Sequence, residues 1–262
     1  MTKVKGVIAA AGLGTRLRPL TNELNKHLVH MYNSLMVHSP LDILLKQDVR
    51  DITLVTSEEH ISQFKKYLGD GRDFGAHIEY TAQTKEKMGI AIAIDSAVKY
   101  TSKFEGKYLV VLGDNYLHDQ AKIPEQAFTD DNSYILTVPV EEPRHFGCPK
   151  YNEEGNLVDL IEKPQGIPPS NRAITGIYIF PARDLSSKLA SLKPSARKEY
   201  EVTDLSKSYL LEGRLKEIQH EGLWIDSGSS FDHRLQTILA QAVKSVGYRT
   251  VERMLKDIKD YN

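Results

Sequence analysis

The chain has 262 residues, 40% of them hydrophobic and 26% charged, with a formal net charge of −1 at pH 7. That length supports one large buried core without requiring a second domain, and the composition is ordinary for a globular protein. The near-neutral balance argues against a nucleic-acid or anionic membrane partner, and the one cysteine, Cys148, excludes an intrachain disulfide and points to a reducing compartment.

The N-terminus runs from Met1 through Gly6 straight into a short apolar strand at 7–10, with no leader-like apolar region or cleavage site. No apolar run reaches the length of a membrane span, so the reading is a cytoplasmic protein. Further short apolar strands are predicted at 52–55, 109–112 and 135–138. Helical spacing shows at Leu41, Leu44 and Leu45, running on to Val49, and again at Ile90, Ile94 and Ala97. Short apolar strands separated by helices predict an α/β fold, a mostly parallel Rossmann-like sheet with helices on both faces. In the second half, Asn152-Glu153-Glu154-Gly155-Asn156 predicts a hairpin turn between strands near 150–151 and 157–158. Another strand is predicted at 176–180. Thr203 is placed as the cap of a helix through about Leu211, stopped by Gly213. Two amphipathic helices close the chain. The first carries Phe231, Leu235, Ile238, Ala242 and Val246 and stops at Gly247; the second carries Val251, Met254, Leu255 and Ile258. No repeat, low-complexity segment or linker divides the chain, so 1–262 reads as a single domain.

Directly after the first strand stands Ala11-Gly12-Leu13-Gly14-Thr15-Arg16-Leu17, continuing Arg18-Pro19-Leu20-Thr21. Glycines there let the backbone approach a ligand closely, and its N–H groups form a concavity for anions. Arg16 adds a permanently charged planar fork suited to phosphate oxygens, and Lys26 supplies a second positive charge. A Walker A loop needs Gly-Lys-Ser/Thr at its end, and a Rossmann fingerprint needs glycine or alanine where Leu17 stands; neither is present. Gly-x-Gly alone reads equally well as a tight strand-to-helix turn. Asp114, in Leu112-Gly113-Asp114-Asn115, follows an apolar strand, where a carboxylate faces the ligand crevice of a parallel sheet; an Asp-Asn turn is the alternative. His27 and His30 lack a third ligand at motif spacing and read as ordinary polar residues. Ser229, Ser230 and Cys148 have no base at recognisable spacing, so no covalent nucleophile is expected.

The string from Gly12 to Thr21, followed by Lys26, resembles the signature loop of the sugar-1-phosphate nucleotidylyltransferases, and within them the short-form glucose-1-phosphate thymidylyltransferases. Further landmarks follow in that family's order. Gln83 and Gly89-Ile90-Ala91 resemble its base-reading segment; an amide offers both donor and acceptor to a uracil-type edge. Asp114 and, in Trp224-Ile225-Asp226-Ser227-Gly228, Asp226 resemble its Mg²⁺ ligands. Phe146-Gly147, Glu162-Lys163-Pro164, Thr175-Gly176 with Tyr178, and Arg197 ahead of Glu201-Val202-Thr203-Asp204 resemble the segments that hold the sugar and its phosphate.

The resemblance implies nucleotide binding by Ala11, Gly12, Gly14, Thr15, Arg16, Gln83 and Gly89. It implies sugar-phosphate binding by Asn115, Gly147, Glu162, Lys163, Thr175, Tyr178 and Arg197, and catalysis by Arg16, Lys26, Asp114 and Lys163. The nucleotide-binding half then covers mainly 1–120, a smaller β-rich sugar-binding half 121–228, and C-terminal helices 229–262. The implied reaction joins a pyrimidine nucleoside triphosphate, dTTP before others, to a hexose 1-phosphate, glucose 1-phosphate before others, with Mg²⁺. A UTP-dependent or modified-sugar enzyme, or a non-catalytic nucleotide-sugar sensor of the same fold, are the alternatives. Neither nucleic acid nor membrane is implied as a partner, and a homodimer or homotetramer is. The chain departs from the family pattern at His27, His30, Ser34-Leu35 and Cys148-Pro149. These departures spare the implied metal and phosphate ligands and bear on the identity of the sugar. The segment after Asp226 is shorter than in long-form enzymes with a regulatory nucleotide site there, which implies weakened or missing feedback.

Overall fold

The computed structural model describes residues 3–84 and 88–259. Met1 and Thr2 of the N-terminal reading, and 260–262 of the C-terminal segment, lie outside the described residues. In chain order the elements are β1 (Val4–Ala9), α1 (His38–Lys46), β2 (Asp51–Thr56), α2 (Ile61–Leu68), β3 (His77–Ala82), α3 (Ile90–Tyr100), β4 (Lys107–Leu112), β5 (Asn115–Leu117), α4 (Gln126–Thr129) and β6 (Ser133–Pro139). There follow β7 (Gly147–Tyr151), β8 (Leu157–Glu162), β9 (Arg172–Pro181), α5 (Ala182–Ser191), α6 (Val202–Leu210), β10 (Leu215–Gln219), β11 (Trp224–Asp226), α7 (Phe231–Val246) and α8 (Tyr248–Lys259).

Seven strands form the central sheet in the order β10-β6-β9-β4-β1-β2-β3. β1 lies parallel to β2 and β4, β2 to β3, and β10 to β6, while β9 runs antiparallel to both its neighbours. The predicted strands fall inside β1, β2, β4, β6 and β9, except that Ala10 lies just past β1, its N–H still donating to Val55 O at 2.7 Å. Alternate side chains face opposite layers. Ile8, Leu54 and Val111 pack with Leu41 and Leu44 of α1 and Phe64 of α2. Val7, Val55 and Val110 pack with Ile94 of α3, Leu185 of α5 and Leu205 of α6. Fully burying each such side chain contributes about 1.5–3 kcal/mol, which is why helices cover both faces.

Two small antiparallel pairs stand beside the sheet. β7 and β8 form the predicted hairpin, and β5 pairs with β11 so that Asn115 faces Asp226. Thr203 does not cap α6. Glu201 occupies the cap position with extended backbone, and Thr203 lies inside the first turn, where its hydroxyl donates to Glu162 Oε2 at 2.5 Å. A cap residue needs non-helical backbone, and here Glu201 has it while Thr203 is already helical. α7 starts on Ser230, whose side chain accepts from His233 N, and stops at Gly247 as predicted. Among the described residues no helix is long and apolar enough to cross a membrane.

Candidate active site

β1 and β4 are parallel neighbours, so their C-terminal ends bring the glycine loop and Asp114 to one rim of the sheet. A cavity of about 330 Å³ opens there. Its wall includes Ala11, Gly12, Lys26, Gln83, Gly89, Asp114, Asn115, Gly147, Glu162, Lys163, Thr175, Tyr178, Arg197 and Asp226. Residues from Ala11 to Asp226 are thus gathered into one space. Gly14, Thr15 and Arg16 do not line it. Arg16 is exposed on a short 3₁₀ turn, though its charge still acts on Lys26 and Asp226. Gly14 has the left-handed φ of 64°, and a Cβ there would stand 2.6 Å from Lys26 Cβ. A bare backbone at Gly14 therefore seats Lys26. Gly89, at φ 120°, packs against the Tyr200 backbone, which leaves no room for a Cβ at the start of α3.

The closed end of the cavity is charged. Lys26 Nζ donates to Asp114 Oδ2, with the two side chains only 16% and 11% exposed. Burial disfavours both charges, but their attraction outweighs it: Lys26 is held above its ordinary value and Asp114 below. Asp226 lacks such a direct partner. Burial, then the Asp114 carboxylate, push it up to about 7. Its Oδ1 is buried with no hydrogen-bond partner among the described residues. Two adjacent carboxylates, one with an unsatisfied oxygen, fit a hard divalent cation, which prefers oxygen ligands and removes that repulsion.

His27 is not the ordinary polar residue its spacing suggests. It is 2% exposed, and burial and then the Lys26 charge push its imidazole down to about 3. The neutral ring sits with Nδ1 2.7 Å from Asn25 Oδ1, which makes Nδ1 the donor. Ser229 does have a histidine neighbour, contrary to the spacing argument: its Oγ contacts His233 Nδ1. That hydroxyl also donates to Asp226 O at 2.8 Å, so its proton is already engaged, and Ser229 lies outside the cavity wall.

The opposite end is built by β7, β8, β9 and the segment before α6. Arg197 Nη2 lies 2.8 Å from Glu201 Oε2, 3.2 Å from Glu162 Oε1 and 3.3 Å from Glu199 Oε2. Lys163 Nζ lies 3.8 Å from Glu162 Oε1. Lys163 itself has φ 43°, a conformation rarely occupied by L residues and often found at functional sites. Its N–H donates to Phe146 O at 3.0 Å and so ties β8 to β7. Burial, then the Glu162 charge, push the Tyr178 phenol up, which keeps it a donor. Thr175 and Asn115 serve the wall itself. Thr175 Oγ1 donates to Leu136 O, while Asn115 Oδ1 accepts from Gly176 N and Trp224 Nε1.

Residue spacing did not single out Glu199, Glu201 or Thr203 as site residues, yet all line the cavity and hold Arg197 or Glu162. The available signal was the four-residue spacing of Arg197 and Glu201, together with Thr203 beside it. Among the described residues, one group of three possible metal ligands lies elsewhere: Asp51, His77 and Glu79 at the surface, with Lys5 Nζ 2.9 Å from Asp51.

A nucleotidyl transferase family model matches residues 5–235. A glucose-1-phosphate thymidylyltransferase of Neisseria meningitidis is 34% identical over 248 residues, 93% of this chain and 84% of that one. One from Mycolicibacterium smegmatis is 34% identical, over 88% of this chain and 80% of that one. A Bacillus anthracis crystal structure described as a glucose-1-phosphate thymidylyltransferase, in complex with a sucrose, superposes with a TM-score of 0.80 at 32% identity, covering 89% of this chain and 94% of that one. A UDP-glucose pyrophosphorylase structure superposes with a TM-score of 0.77 at 22% identity, covering 93% and 100%, a likeness of fold. The cavity at the strand ends and the match across most of the chain agree: the protein belongs to the nucleotidyl transferase family.

Proposed function

We propose that the protein transfers a nucleotidyl group from dTTP to glucose 1-phosphate, releasing pyrophosphate, with Mg²⁺ held by Asp114 and Asp226. The observation that carries this reading is the placement of charge in one cavity. Lys26 and the carboxylate pair stand at one end, and Lys163 and Arg197 at the other. Two anionic substrates must meet for this reaction, so charge neutralisation and positioning are the main demands on the protein.

In this reading the glycine loop and Arg16 take the triphosphate, and Lys26 stabilises the charge at its α-phosphate. Lys163 and Arg197 hold the sugar phosphate, Glu162 and Tyr178 contact the sugar, and Gln83 with Gly89 reads the base. An oxygen of the sugar phosphate bonds the α-phosphorus, and the bond from that phosphorus to pyrophosphate breaks. Asp114 and Asp226 would hold Mg²⁺, which would supply positive charge to the triphosphate. Arg197 reaches the sugar phosphate by exchanging part of its contact with Glu162, Glu199 and Glu201.

The names of the curated relatives favour dTTP and glucose 1-phosphate. A UTP-dependent enzyme is the second reading, because the Gln83 amide suits uracil and thymine alike. A homo-oligomer in the cytoplasm belongs to the same proposal. The test is pyrophosphate release with glucose 1-phosphate and Mg²⁺, run separately with dTTP, UTP, CTP, GTP and ATP. Turnover led by dTTP supports the proposal. Turnover led by UTP moves it to the second reading, and silence with all five overturns it.

A further inference from the structure

The first turns of α7 are fastened to the carboxylate end of the cavity by residues outside its wall. Thr237 and Ser227 are each 1% exposed, and their hydroxyl oxygens lie 2.8 Å apart. Thr237 Oγ1 also donates to His233 O at 3.0 Å, one turn back along the helix. Each hydroxyl has one hydrogen, so Ser227 is the donor to Thr237. A buried hydroxyl without a partner is costly, and here each satisfies the other.

Ser227 is chained to the backbone of both aspartates. It follows Asp226 directly, and its own N–H donates to Asp114 O at 2.9 Å. The strand pair β5–β11 sets Asp226 against Asn115, and the turn that follows is closed by the Ser227 N–H bond to Asp114 O and by the Ser229 hydroxyl on Asp226 O. The Ser227–Thr237 bond ties that turn, through a buried side chain, to a sixteen-residue helix.

We infer that Thr237 is a positioning residue which, through Ser227, sets the spacing and orientation of the Asp114 and Asp226 carboxylates. The inference rests on the reading of these aspartates as metal ligands. Groups that orient ligands without touching the metal commonly govern affinity by about 10–100-fold. Thr237 does not line the cavity, and its bond to Ser227 is its direct link to the turn after Asp226.

The test is Mn²⁺ binding followed by electron paramagnetic resonance, with melting temperatures and kinetics, on the wild type, Thr237→Val, Thr237→Ser, Ser227→Ala and Asp226→Asn. The expected result is Mn²⁺ affinity about tenfold lower in Thr237→Val and Ser227→Ala, restored in Thr237→Ser, with kcat falling and KM for glucose 1-phosphate unchanged. Wild-type affinity in Thr237→Val overturns the inference, and so does equal loss in Thr237→Ser. If Thr237→Val does not fold, Ser227→Ala decides alone, and wild-type affinity in it overturns the inference. Asp226→Asn that binds Mn²⁺ as the wild type does, or a wild type that binds none, overturns the metal reading and this inference with it.

Discussion

Lys26 Nζ donates to Asp114 Oδ2 in the cavity, while the neighbouring Asp226 keeps a buried oxygen without a partner among the described residues. Among the described residues Lys26 bonds one of the two carboxylates directly, and the other is pushed up to about 7 by burial and by Asp114. Two carboxylates lie beside one bonded lysine there, and the proposed chemistry begins from their repulsion.

Lys26→Met removes the lysine bonded to Asp114. The expected loss in kcat is on the order of 10²–10³-fold, the usual cost of removing a preorganised charge or donor. Melting temperature, measured alongside, separates this from unfolding. Activity within about twofold of wild type would contradict the role given to Lys26.

Asp114→Asn keeps the shape of the side chain but removes its charge. Pyrophosphate release is expected to fall by at least a hundredfold, about the loss seen when one preorganised catalytic group is removed. Chelating divalent ions from the wild type is expected to abolish release, and added Mg²⁺ to restore it. Near-full activity of Asp114→Asn sinks the metal assignment.

Arg197→Met tests the other end of the cavity. Arg197 is held by Glu201, Glu162 and Glu199, and its proposed ligand is the sugar phosphate. KM for glucose 1-phosphate is expected to rise by about tenfold or more, the worth of one charge-assisted hydrogen bond, with KM for dTTP little changed. Equal changes in both values would remove Arg197 from the sugar end.

Stability depends on pH through a site far from the chemistry. Burial works against the Asp130 carboxylate, but hydrogen bonds from Tyr134 (2.7 Å) and Asn132 (2.6 and 2.9 Å), with the Lys107 charge behind them, hold it below the ordinary carboxylate value. A carboxylate lowered in the folded state stabilises it above the unfolded value of about 4, and that contribution disappears as pH falls through the folded value. Asp130→Asn is therefore expected to melt below the wild type near pH 7, with the gap closing in acid. A gap independent of pH from 7 to 3 would contradict this.

Much of the site was legible because the sheet obeys simple rules. Apolar strands at 7–10 and 109–112 are buried on both faces, and residues just beyond parallel strands share one rim, so Gly12 and Asp114 meet although far apart in sequence. The antiparallel course of β9 was not legible, because a strand buried on both faces reads as a continuous apolar run in either direction. β5 and β11 are three residues each, too short for a period, yet they bring Asp226 to the cavity. The burial of His27 and the carboxylate grip on Arg197 depend on how separate segments pack, which spacing along the chain does not encode.

The most direct test is to identify the product. Purified protein is incubated with dTTP and glucose 1-phosphate, with and without Mg²⁺, and followed by phosphorus NMR. The account predicts paired diphosphate resonances of a nucleotide sugar, in step with pyrophosphate, only when Mg²⁺ is present. Pyrophosphate without a nucleotide sugar, or equal product without any divalent ion, would contradict it.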